Sequence, residues 1–392
     1  MTLHTKKKIA GFTLIELLIA MAVTIILLYA TVQVFQNATY SNQIVVQSAD
    51  MTDNLRAGLN LIQQDLQQTG AGIPVGGISI PFTPDGSGCA TTAVINRPVL
   101  AGNSSIPGKG TFPNCNATIP AVEPGNSLGP ALTAPDAASG TASNPNPSGI
   151  TDEITMLYQD NTLKLDDLPV NDATKCPNGK VVLAGTTLTI TFDPACINLT
   201  TAGIAVQVGD LILLQNGNTT NGTLVCVTGI SLASNSLTFA SGDAFGLNGR
   251  NNIDTGGTIK QLETSPACGG ANSCFPETLA TRVWMISYYL DNITSPPWVR
   301  LIRAVNFQTQ APVGETLENL QFTYNFVDGV TNPSNQSTVP TGNSESQIRS
   351  VNVYLAARSS YNLQQGTHAS YARNNLMTQV SLRSLAYVDR YF

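Results

Sequence analysis

The chain has 392 residues, of which 42% are hydrophobic and only 11% are Asp, Glu, Lys or Arg, against about 25% charged in an ordinary soluble domain. Such a composition folds around a core rather than staying disordered, and the net charge of −6 argues against nucleic acid as a partner, since phosphate binding needs a basic face. Two histidines, His4 and His368, leave almost nothing from which to build a His-based catalytic or zinc site, so the chain is read as a non-enzyme with no cofactor and no metal.

The amino terminus carries Lys6, Lys7 and Lys8, then Gly11, then an apolar run from Phe12 to Phe35 whose one charge is Glu16. As a helix this run is roughly 36 Å long, enough to cross a bilayer core of roughly 30 Å. The lysines before it hold the terminus in the cytoplasm and send the rest outside. A secretory signal would end in a small-residue cleavage site, and none follows Leu28. A plain anchor gains nothing from Glu16, because a carboxylate is unfavourable inside a membrane.

The run Lys6-Lys7-Lys8-Ile9-Ala10-Gly11-Phe12-Thr13-Leu14-Ile15-Glu16-Leu17-Leu18 resembles the class III signal of type IV pilins and type II secretion pseudopilins. The resemblance implies that a prepilin peptidase cuts after Gly11 and methylates the new amine of Phe12, and that Glu16 serves assembly. Phe12 and Glu16 stand at i and i+4 on one helix face, and the carboxylate lies in the first turn, where the helix dipole favours it. A neighbouring subunit's new amine can neutralise Glu16 in apolar surroundings.

No proline interrupts Phe12 to Ile73, and Met51, Leu55, Leu59, Ile62 and Leu66 recur at helical spacing. One helix is expected from Phe12 to Thr69, stopped by Gly70, Gly72 and Pro74. Its apolar stripe is expected to pack on a head, and Gln63, Gln64, Asp65, Gln67 and Gln68 to occupy the other face. Residues 71–150, rich in Gly, Pro, Ser and Asn, read as long surface loops with short strands near Val94 and Ile95.

From Asp152 the period becomes two. Strands are expected over Glu153–Gln159, Val181–Phe192, Asp210–Gln215, Thr223–Leu232, Ser236–Ala240, Thr258–Leu262, Thr281–Leu290, Trp298–Ala304, Leu317–Val327, Ile348–Ala357 and Thr378–Val388, separated by Gly, Asn, Asp and Pro clusters. The expected fold is α+β: a long N-terminal hydrophobic and amphipathic helix packed on a mainly antiparallel β-rich head with long loops, as in pilins. The expected organisation is a cleaved leader at 1–11, the helix at 12–70 with its transmembrane half at 12–35, the loop region at 71–150 and the head at 151–392. The order Arg282 to Leu290, Leu301 to Arg303, Leu317 to Tyr324 and Ser350 to Leu355 resembles the carboxyl-terminal half of PilW-type minor pilins, a layout shared by J-type pseudopilins.

Seven cysteines follow the apolar run, and an exported chain meets oxidising conditions. Candidate disulfides are Cys89 with Cys115, Cys176 with Cys196 and Cys268 with Cys274, although spacing does not fix connectivity. Cys226, in the apolar Leu224 to Val227 run, remains as a small core residue. Asp243, Asn248, Asn251, Asn252 and Asp254 could hold calcium but lack the EF-hand order and its closing Glu, so an Asn/Gly turn is the preferred reading. His368 is read as a solvated loop residue.

The resemblance implies a minor type IV pilin, processed by prepilin peptidase, that joins a tip or priming complex with other minor pilins and starts fibre growth by the major pilin. It implies contact with the inner-membrane assembly platform and with membrane lipid before assembly. The expected location is the inner membrane with the head in the periplasm, then the pilus fibre, at its tip. The alternatives are a J-type pseudopilin of a type II secretion system and a pilus-borne adhesin or DNA-uptake subunit.

Overall fold

The computed structural model describes residues 13–74, 76–79, 95–98, 118–132, 150–160, 170–201, 204–216, 222–248, 259, 262–263, 275–291, 299–308, 310–360, 363–365 and 368–388. Lys6, Lys7, Lys8, Gly11, Phe12, Cys89, Cys115, Cys268 and Cys274 lie outside the described residues. Two compact units divide the chain, Met1–Met51 with Ser359–Ala372, and Thr52–Arg358 with Arg373–Phe392.

Helix α1 spans Leu14–Gln68 without a break, as expected from a run free of proline. It stops at glycines in the left-handed region, Gly70 at φ 82° and Gly72 at φ 71°, a conformation that costs a side chain but not glycine. A Cβ at Gly72 would also stand 2.7 Å from that of Gln159, so the exit turn requires glycine twice over.

The second unit is built on a seven-stranded antiparallel sheet. Its main path runs β13 (Ala311–Glu315), β12 (Arg300–Val305), β11 (Thr278–Asp291), β4 (Glu153–Gln159) and β3 (Val122–Gly125), with β7 (Leu211–Asn216) and β8 (Gly222–Cys226) joined through β11. The 14-residue β11 is shared along its length. Thr278–Val283 pairs with β7, Val283–Tyr288 with β4 and Ile286–Asp291 with β12. Arg282 on β11 binds Asp160 and Asp210 and lies over the Trp284 ring at 4.4 Å, which ties the shared strand to residues that follow β4 and precede β7.

A four-stranded sheet has the order β5 (Lys180–Ala184), β6 (Thr187–Thr191), β10 (Ser236–Phe239) and β9 (Gly229–Ser231). Val181, Leu183, Leu188 and Ile190 point from it into one apolar cluster with Ile212, Leu214 and Val225, the alternation of a sheet with one buried face. A third sheet has the order β14 (Leu317–Phe326), β15 (Ile348–Arg358) and β18 (Arg373–Ser381), and β1 (Ile78–Ser79) pairs with β2 (Thr118–Ile119). The first unit holds α1 up to Met51 and a hairpin of β16 (Leu363–Gln365) and β17 (His368–Ser370). The long helix with antiparallel sheets and long connections is the expected α+β, pilin-like fold.

Five local expectations are corrected. Thr223–Leu232 is divided between β8 and β9, which belong to different sheets. Val181–Phe192 is a hairpin rather than one strand, because Gly185 turns the chain at φ 63°. Alternation continues through the turn and hides it. Thr378–Val388 is divided between β18 and a short helix, α2 (Arg383–Val388). Leu382, which is fully buried, and Leu385, which packs on Gly70, are three residues apart, a helical interval. Ile259 and Leu262 are in helical turns and not in a strand, and His368 begins β17 instead of lying in a loop. The region 71–150 also contributes more than surface loops. Among its described residues are β1, β2 and β3, and Arg97 has no solvent exposure.

Candidate functional site: the two ends of helix α1

At its amino-terminal end α1 is closed by its own side chains. Thr13 precedes the first helical residue, and its backbone N–H and hydroxyl both donate to Glu16 Oε2, at 3.0 and 2.9 Å. This is the return half of a capping box, in which the third helical residue accepts the N–H of the cap. The carboxylate therefore has a partner within the lone chain, a role that the sequence reading did not assign to it.

Beyond this cap the surface is apolar on every side. Large hydrophobic residues from Leu14 to Phe35 are between 46% and 82% exposed, so the segment has no core of its own and needs an apolar environment. Its hydroxyls are suited to one. Thr24 donates to the carbonyl of Ala20 at 2.7 Å, Thr31 to Leu27 and Leu28 at 3.0 and 2.9 Å, and Thr39 to Phe35 at 2.8 Å, so these polar groups are satisfied by the preceding turn. By length and hydropathy the helix can cross a membrane.

At the carboxyl-terminal end the same helix is buried. Leu55, Ile62 and Leu66 have no exposure and Leu59 has 7%. Gly58 permits a close approach, since a Cβ there would lie 2.9 Å from Leu301 Cδ2 and 3.3 Å from Leu355 Cδ2. The helix thus packs on β12 and β15.

Asp65 was expected on the polar face and is 4% exposed. Its carboxylate receives four hydrogen bonds: from Tyr158 OH on β4 at 3.1 Å, Tyr288 OH on β11 at 2.6 Å, and Arg303 Nε and Nη2 on β12 at 2.7 and 3.1 Å. One helical side chain is thereby joined to three adjacent strands. Burial, then the negative charge of Asp65, pushes both phenols well above the ordinary tyrosine range. Burial opposes the charge on Arg303, but its hydrogen bond to Asp65 prevails and raises its pKa. An acid meeting a guanidinium and two hydroxyls in a dry site is a strong orienting contact. The available sequence signal was spacing: Gly58, Ile62, Asp65 and Thr69 form one helical row, and all four are buried.

The remaining candidate residues are distributed elsewhere. A disulfide joins Cys176 to Cys196, while Cys226 is a buried free thiol whose pKa burial pushes up to about 12. That thiol is inert at ordinary pH. Asp243 accepts the N–H groups of Leu247 and Asn248 at 3.0 and 2.9 Å, and the Asn248 amide is bound to both backbone groups of Cys226. These two side chains are used in turn formation; Asn251, Asn252 and Asp254 lie outside the described residues, among which no His, Cys, Asp and Glu group is arranged for a metal.

Residues 6–29 match the prokaryotic N-terminal methylation motif. No curated protein and no solved structure matches the chain. The motif is typical of type IV pilins and pseudopilins, generally structural rather than enzymatic proteins, and it implies processing by prepilin peptidase. With the exposed apolar helix it indicates anchoring in a membrane before assembly.

Proposed function

We propose that this protein is a minor type IV pilin of the PilW type, cut between Gly11 and Phe12, methylated at Phe12 and inserted at low copy number near the tip of the fibre. The observation that carries this reading is the methylation motif over residues 6–29, in which Glu16 follows Phe12 by four residues as the one charge of the apolar run 12–35. In the membrane the apolar half of α1 is solvated by lipid. In a filament the same surface is solvated by the helices of other minor pilins and of the major pilin, so assembly exchanges one apolar environment for another. A head of this size crowds a thin fibre if repeated at every position, which favours a subunit used once or a few times to start growth on the inner-membrane assembly platform.

Glu16 confers direction on that exchange. Its contact with Thr13 spans one turn and leaves the carboxylate exposed, where the amine of an adjacent subunit can reach it. Replacing Glu16 by Ala is expected to preserve insertion and cleavage but to reduce recovery with sheared filaments and with partner minor pilins. Thr13→Ala removes one cap bond and keeps the carboxylate, so it is expected to assemble normally. Equal loss in both variants would reduce Glu16 to a helix cap, and full recovery of Glu16→Ala would exclude pairing with a neighbour.

A further inference from the structure

Another buried ionic cluster uses no side chain of α1. It lies where β3 and β4 meet β14, and among its described residues there is more acid than base. Arg97 Nη2 stands 3.6 Å from Glu123 Oε1 on β3, and Nη1 stands 3.5 Å from Glu153 Oε1 on β4. Nη2 also donates to the carbonyl of Pro124 at 3.1 Å. Gly125 leaves room for the guanidinium, since a Cβ there would come within 2.9 Å of Nη1. Next to Glu153, Asp152 links the sheets. Its N–H donates to the carbonyl of Leu320 at 2.9 Å, and its carboxylate accepts the N–H groups of Ser127 and Phe322 at 2.8 and 2.9 Å.

Arg97, Glu123, Asp152, Glu153 and Tyr324 are each 2% exposed or less. Fully ionised, the described residues of the cluster would set three carboxylates against one guanidinium in a medium of low dielectric, an arrangement that buried groups avoid by taking up a proton. Two atoms point to where it goes. Glu123 Oε2 and the Tyr324 hydroxyl are both buried without a hydrogen-bond partner, and the hydroxyl lies within the field of Asp152, Arg97, Glu123 and Glu153. A protonated Glu123 gains the donor that its ionised form lacks. Glu345, in a 3-10 turn over β3, adds negative charge to the site.

We propose that this cluster is a proton-operated seam of the head, closed while Glu123 carries a proton and loosened when Glu123 is ionised. The seam joins β3 and β4 to β14 and to the turn at Glu345–Gln347, so proton loss loosens contacts between segments distant in the sequence.

Burial raises Glu123 from 4.5 to about 8 against the opposing charge of Arg97, and raises Asp152 from 3.8 to about 6 against its two N–H donors. Both groups hold protons in the folded chain that the unfolded chain releases at lower pH. Their contribution to stability is complete in acid and is lost as pH rises through the folded values. Between about pH 6 and about pH 8, Glu123 is expected to account for most of the fall, at up to about tenfold in the unfolding equilibrium constant per pH unit.

The test is urea unfolding of the full chain in detergent micelles, followed by tryptophan fluorescence at several pH values. The wild-type midpoint is expected to fall from about pH 6 to about pH 8 and then level off, and Glu123→Gln is expected to remove most of that limb while still unfolding cooperatively. A flat wild-type profile, or the same fall in the variant, overturns the proposal. Infrared spectroscopy of the wild type supplies a test independent of the variant's folding. A protonated carboxyl band at neutral pH that vanishes in alkali is expected, and its absence at neutral pH refutes the seam.

Discussion

Residues 14–35 and 52–68 belong to one continuous helix and solve opposite problems. In the first stretch Ile25 is 64% exposed, whereas in the second Ile62 has no exposure and even an acid, Asp65, is buried. The backbone is the same; the difference is where each stretch finds its solvent. The first half depends on an apolar environment supplied by other molecules, and the second is supplied by the strands of its own chain. Under the proposed function, a subunit that exchanges lipid for neighbouring helices needs this division, because the anchor must be free to change surroundings while the head keeps a fixed register on residues 52–68.

The sharpest way to break the comparison is to remove the register. Asp65→Ala leaves the Arg303 guanidinium and the hydroxyls of Tyr158 and Tyr288 without their shared acceptor, a loss of roughly 3 to 5 kcal/mol for a buried pair deprived of one partner. Chemical denaturation in micelles should show it as a large drop in midpoint, with membrane insertion unchanged. An unaltered midpoint would mean that the four hydrogen bonds do not hold the helix to β4, β11 and β12.

The next test compares matched truncations. Ile62→Ala should cost roughly 2 to 5 kcal/mol of head stability through the cavity it leaves. Ile25→Ala, made from the same residue type in the same helix, should change head stability by less than about 0.5 kcal/mol and act only on partition into membrane or filament. Similar losses in both variants would erase the distinction between the halves.

The smallest effect belongs to the cap. Thr13→Ala should fray the first turn, visible as faster amide exchange near Glu16 in micelles, and leave the unfolding midpoint of the head where it was. Unchanged exchange would show that the backbone N–H of Thr13 suffices to hold Glu16.

Most of this division was legible in the sequence, because it is written in composition and period. A proline-free apolar run, a stripe at intervals of three and four, and paired glycines at the end delimit α1 to within two residues. Strand alternation located β4, β7, β11, β14 and β15 for the same reason. What escaped was partnership across the chain. Asp65 was assigned to water since hydrophobic periodicity counts an acid as polar whether or not two tyrosines and an arginine await it. Arg97 escaped because its carboxylates, on Glu123 and Glu153, lie 26 and 56 residues further along. Turns hidden within an unbroken alternation, as at Gly185, escaped because glycine marks a turn only when its φ is known.

The central proposal is that the chain is processed at Phe12 and that the apolar half of α1 serves to enter an assembly. Mass spectrometry of the protein recovered from sheared filaments tests it directly. The account predicts a mature chain that starts at an N-methylated Phe12 and lacks Met1 to Gly11. Filament-associated protein that retains those residues, or carries an unmodified terminus elsewhere, would contradict it.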